Sequence, residues 1–221
     1  MSVTRLHPRT TSFSVRPLPC GLVPLFAALL VPGAVRAAGA AVQSSPVEVA
    51  QVRFVNVRAP TGSTGNWLEA TVGLNARPVP GAGAQMVSRV KVALLLAFEL
   101  AAPPGKDRRL EYYRAEAECV ALEPGRAEVR FYLPPELVKR DQLHGDPKFW
   151  GVELAVAGRP IQAGRSAYSM NLPEPDARRS FQQRGGKAAG QNDGLLQPQF
   201  LTPFANEYPR ATPSFVRRQG S

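Results

Sequence analysis

Few residues of this chain have the type and spacing to do chemistry. His144 sits between Asp141 and Asp146, where an imidazole flanked by carboxylates could relay a proton or hold an ion, although a lone histidine in such a loop is ordinarily solvated. It is the only histidine after residue 40, and Cys119 is the only cysteine there. One His and one Cys cannot build a zinc site at any usual spacing, and a Ser-His-Asp relay has a single candidate base. Gly62-Ser63-Thr64-Gly65 and Gly81-Ala82-Gly83 lack the following Lys-Ser/Thr and helix that a phosphate cradle requires. No pair of acids stands at a turn or strand end in the manner of a hydrolase. The reading is therefore non-enzymatic, with no catalytic residue, no metal and no cofactor.

Two aromatic groups remain. Trp67, Tyr112, Tyr113, Tyr132 and Trp150 could offer stacking faces to sugar rings, or could simply fill a core. Phe200, Phe204 and Tyr208 fall in the proline-rich segment 197–209, which has neither strand nor helix pattern. They are either a strap packed back on the body or a docking motif whose prolines limit the entropy lost on binding. The candidate partner-binding residues are these three.

The elements that position such groups are read from period. Leu68, Ala70, Val72 and Leu74 alternate with polar or small residues, and so do Val90, Val92, Leu94, Leu96, Phe98 and Leu100, with Met86 placed ahead of them. The same period-2 pattern runs through Ala115, Ala117, Cys119 and Ala121, through Ala127, Val129, Phe131 and Leu133, and through Trp150, Val152, Leu154 and Val156. Proline and glycine separate these runs, and Leu122-Glu123-Pro124-Gly125-Arg126 is short enough to predict a hairpin of its two flanking strands. One short helix is expected over 134–140, where proline suits a first turn. Seven or eight strands in about 125 residues make the fold class all-β, an antiparallel two-sheet sandwich of immunoglobulin-like arrangement with one short helix. The domain spans 41–171. Residues 172–221 read as a disordered C-terminal tail, because Gln, Gly, Arg and Ala dominate 172–196 and bury little apolar surface.

The first 40 residues follow the plan of a cleavable signal peptide: arginines without acids, an apolar run from Cys20 to Val35, and small residues ending in Ala38-Gly39-Ala40. Pro24 and Pro32 interrupt the run, so no permanent membrane span is expected after processing. Cys20 precedes the apolar run, which excludes it as a lipid acceptor at the cleavage point. The expected location is across the inner membrane, in the periplasm or at the cell surface.

A net charge of +10 suggests nucleic acid until it is divided. Residues 1–40 hold four of the basic residues and no acid; 41–171 hold 16 basic and 13 acidic residues, interleaved along the strands. A nucleic-acid site needs clustered cations, so that class is set aside.

The run from Arg126 to Glu136 (RAEVRFYLPPE) and the strand from Phe149 to Leu154 (FWGVEL), together with the export plan, resemble immunoglobulin-like bacterial envelope proteins that accompany type IV pilus components. The resemblance covers about a tenth of the chain and carries over no functional residue. The prepilin hallmark, a cleavage site followed by a long unbroken helix with an early Glu, is missing. What the resemblance implies is a secreted structural or binding module of an envelope, an accessory of a pilus or other surface assembly, with another envelope protein as partner through the tail or a sheet edge. The alternative is a secreted carbohydrate-binding protein or hydrolase.

Overall fold

The computed structural model describes residues 45–60, 65–77, 86–101, 108–143 and 145–217. Residues 1–40, predicted as a signal peptide, and His144 lie outside them. All described residues belong to one compact unit, Gln43–Ser221.

Period-2 runs become strands where expected. In chain order the elements are β1 (Val47–Arg58), β2 (Asn66–Ala76), β3 (Val87–Leu100), β4 (Arg109–Leu122), β5 (Gly125–Leu133), α1 (Pro135–Arg140), β6 (Phe149–Val156), β7 (Arg159–Ile161), α2 (Pro175–Ala188) and β8 (Gln197–Pro198). One sheet has the order β1-β2-β5-β8 and the other β4-β3-β6-β7, all pairs antiparallel. First, second and fifth strands in one sheet, with third, sixth and seventh in the other, is the partition of an immunoglobulin-like sandwich; β4 is added beside β3. Between the sheets Leu68, Val72, Leu74, Val90, Val92, Leu94, Leu96, Val129, Phe131 and Val152 are buried, each on the apolar phase of its alternation.

Met86 falls off that phase and is exposed. The register steps from Ser88↔Ala121 to Val90↔Cys119, leaving Arg89 unpaired with a left-handed φ of 53°. This bulge turns Val87 inward instead of Met86.

The hairpin predicted at Glu123-Pro124 does not form. Leu122 pairs with Val87 in one sheet and Gly125 pairs with Ala76 in the other, so the chain crosses the sandwich there. Three extended residue steps reach about 10 Å, the spacing of packed sheets, and proline holds such an extension as readily as it starts a turn. The two-residue hairpin occurs instead between β6 and β7, where Ala157 and Gly158 have φ of 48° and 79°, as a twist-matched turn demands.

The tail departs from expectation most. The segment 172–196, predicted disordered, contains α2 and a turn of 3-10 helix over Ala189–Asn192. Helix α2 lies on the outer face of the β4-β3-β6-β7 sheet, joining Leu172, Phe181 and Ala189 to Leu95 and Ala97. Its inward positions, Ala177, Phe181, Gly185 and Ala189, recur every four residues. Only one of them is large, and composition therefore understates the helix. Gly185 is the closest approach: a Cβ there would stand 2.8 Å from Leu95 Cδ2 and 3.0 Å from Tyr112 Cδ1. Glycine reads as a breaker in sequence, but here its missing side chain lets the helix settle on the sheet. Asn192 then donates to the Tyr112 carbonyl (2.9 Å) and the Glu111 carboxylate (2.7 Å).

Candidate functional site

After α2 the chain crosses to the opposite sheet. β8 pairs with β5, a 3-10 turn follows over Gln199–Leu201, and the rest returns along the seam: the Glu128 amide donates to the Ala211 carbonyl (2.9 Å), the Val120 amide to Ser214 (2.8 Å), and the Val216 amide to Glu118 (2.7 Å). The tail thus lies along part of the edge of both β5 and β4.

This path separates the three aromatic candidates. Phe204 is buried at 2% exposure, stacked on Tyr132 with ring centroids 4.3 Å apart and edge-on to Trp67 at 5.7 Å. Phe200 is half-buried against Phe215, 5.1 Å between centroids. Tyr208 alone faces solvent, at 44% exposure, with Arg130 under its ring 4.2 Å from the centroid. Phe200 and Phe204 therefore sit as a strap would, and Tyr208 is the member a partner could reach.

Beneath the strap is a polar network no spacing rule in the sequence announces. β2 and β5 are neighbours, and Thr71↔Arg130 and Glu69↔Tyr132 are partners on their outer face. Glu69 accepts from Thr71 (2.7 Å) and Tyr132 (2.9 Å), with Arg130 Nε 3.6 Å away. Arg130 also meets Glu128 and donates to Thr212 (3.1 Å), whose hydroxyl in turn donates to the Gln199 side-chain oxygen (3.2 Å). Gln199, fully buried, donates to the carbonyls of Phe204 (3.0 Å) and Glu207 (2.8 Å). Glu69 and Arg130 are each 5% exposed. Buried charge of this kind needs partnering, and to that of β2 and β5 the tail adds the Thr212 hydroxyl and the Tyr208 ring over Arg130, whose Nε alone has no hydrogen bond. Burial, and then the neighbouring Glu69 carboxylate, push the Tyr132 hydroxyl far above its ordinary range.

The remaining sequence candidates also settle inward. Tyr113 is fully buried beside Phe98, and its hydroxyl bonds Asp141. Burial and that bond push its pKa well up, while Asp141, hydrogen-bonded by Arg140 and Tyr113, is held below the usual carboxylate range. Trp67 is buried, and Tyr112 and Trp150 are half-buried against Phe181 and Phe54. None of the five offers an open stacking face of the kind a sugar ring takes. Burial and the nearby Glu118 push the Cys119 thiol up to about 12, which suits a small apolar core residue. Among the described residues no three His, Cys, Asp or Glu side chains converge as metal ligands.

Among the described residues, two surfaces away from the tail stand out as open. One is the free edge of β1. Its residues 51–58 run beyond a bulge at Ala50, carry no proline, and leave Val55 half exposed; on the other side they pair with β2 as far as Arg58↔Asn66. Of the other outer strands, β7 has three residues including Pro160, β8 has two including Pro198, and β4 is met by 214–216 over 118–120 and by Asn192 at the Tyr112 carbonyl. The second surface is a groove of about 860 Å³ on the β4-β3-β6-β7 sheet, beside α2.

No family model matches the chain, and no curated protein matches it. Among solved structures, a crystal structure from Akkermansia muciniphila is similar at a TM-score of 0.60 and 15% sequence identity, covering 78% of this chain and 93% of that one. At that identity the likeness establishes the two-sheet sandwich and nothing about activity. No helix among the described residues is long and apolar enough to cross a membrane.

Proposed function

We propose that the chain is a non-enzymatic binding module of a bacterial-type envelope, exported by its signal peptide, which docks another envelope protein by strand addition to the free edge of β1. The observation that carries this reading is the asymmetry of the edges. The chain lays its own tail on β4 at 118–120 and on β5 at 128 and 131–132 and keeps β7 and β8 very short, yet leaves eight consecutive residues of β1 uncovered among the described residues. Edge strands are aggregation hazards that proteins normally blunt, so a long bare edge is a feature with a use. A strand laid along it would run about 26 Å at roughly 3.3 Å per residue and gain main-chain hydrogen bonds. The tail is the weaker route to a partner, since Phe200 and Phe204 are already engaged.

The test is hydrogen exchange on the exported protein, alone and after capture of its partner from native envelope extract. The outward-directed amides of 51–58 are expected to exchange fast alone and to slow at least tenfold in the complex. Val55→Lys, which sets a charge at the edge without entering the core, should weaken capture. Protection confined to 197–217 would overturn the reading in favour of the tail.

A further inference from the structure

The groove beside α2 has no part in strand addition, and its chemistry is distinct. Its floor is the outer face of β3 and β6, where Ala93 and Ala155 are too small to fill the space. Arg114 bridges Glu116 (2.6 Å) and Glu153 (3.5 Å), Lys91 also pairs with Glu116, and Arg89 Nε lies 2.9 Å from Glu118. On the far wall Arg178 donates to the carbonyls of Leu172 and Pro173 and lies over the Tyr168 ring, its carbon 5.3 Å from the centroid, while the Tyr168 hydroxyl accepts from Gln182 (2.8 Å). Arg179 stands at the rim, 72% exposed and paired with Asp176 one turn earlier on α2.

Five cations thus meet three carboxylates in the lining and a fourth, Asp176, at its rim, and every one of those carboxylates already faces a cation. Burial alone would raise the Glu116 carboxyl, but the Lys91 hydrogen bond and the Arg114 and Lys91 charges outweigh it and hold it below its ordinary value. Glu116 therefore stays ionised as a hydrogen-bond acceptor, and the surplus charge of the lining is positive. Fixed donors and acceptors side by side suit a ligand rich in hydroxyl groups, and the positive surplus selects one that carries acid groups as well.

We propose that this groove binds an acidic glycan, a polyhydroxylated chain bearing carboxylates. The probe is polygalacturonate, with dextran as the neutral glycan and poly-glutamate as the acidic peptide, each titrated against the full chain at low and moderate salt. Binding to polygalacturonate is expected to exceed binding to either control at least tenfold. The double variant Lys91→Gln/Arg179→Gln should weaken it fivefold or more with an unchanged melting point. Arg77→Gln/Arg126→Gln, which removes the same charge from elsewhere on the surface, should alter it less than twofold. Equal loss in both variants, equal binding of poly-glutamate, or no preference over dextran would each overturn the assignment.

Discussion

Phe204 and Tyr208 sit four residues apart in one segment, yet their side chains meet opposite surroundings. Phe204 completes a three-ring cluster with Trp67 and Tyr132, and truncating a buried aromatic ring costs about 3–5 kcal/mol. Tyr208 holds a left-handed φ of 58° and covers Arg130 from the solvent side, a contact worth about 0.5–1 kcal/mol at an exposed site. Phe204→Ala is accordingly expected to lower the melting point by roughly 6–20 °C, at about 2–4 °C per kcal/mol for a chain of this size. Tyr208→Ala should lower it by only a few degrees. Thermal unfolding of the two variants separates them, and equal shifts would mean that Phe204 is not the anchor of the strap.

At the scale of elements, α2 depends on a contact that composition hides. Its inner face offers one phenylalanine and otherwise alanine and glycine, so its attachment rests on closeness of approach more than on apolar area. Gly185→Leu would place a branched side chain where even a Cβ falls 2.8 Å from Leu95, and overpacking of this kind costs about 1–3 kcal/mol. The helix would be levered off while the sandwich beneath keeps its own core. Hydrogen exchange should then rise over 175–188 with little change in β3 and β6. Uniformly faster exchange throughout the molecule would instead make α2 an integral part of the core. The crossing at Glu123-Pro124 teaches the same lesson, because a turn-like tetrapeptide says where strands end but not which strands then pair.

For the whole molecule, the tail is what makes the sandwich presentable to solvent. Without it Leu95 and Ala97 on one outer face, Trp67 and Tyr132 on the other, and the edges of β4 and β5 would all be uncovered. Leu196 would also leave the principal core, where it is 2% exposed. A chain ending at residue 171 should keep a β-type dichroism spectrum but self-associate, eluting as oligomer or aggregate on size exclusion under conditions where the full chain does not. A truncated protein as soluble and as stable as the full chain would show the strap to be dispensable.

Alternation alone was enough to locate β2 to β6, most of their inner residues and the class of sandwich, because a strand with one buried face writes its period directly into the chain. The short helix at Pro135 was legible for a similarly local reason, a proline allowed in the first turn. The pairing of Glu69 with Arg130 was not, since these residues are 61 positions apart and become neighbours only when β2 pairs with β5. Nor was the fate of the tail: α2 adheres through a glycine, and 197–217 is held by buried hydrogen bonds to Arg130, Thr212 and Gln199 that exist only on a finished sheet. The groove and the bare β1 edge belong to the same class, because each is defined by what the rest of the folded chain does and does not cover. Local periodicity reports which face of a residue is buried, whereas long-range contacts choose the neighbour, and in this protein the surfaces available for binding follow from that choice.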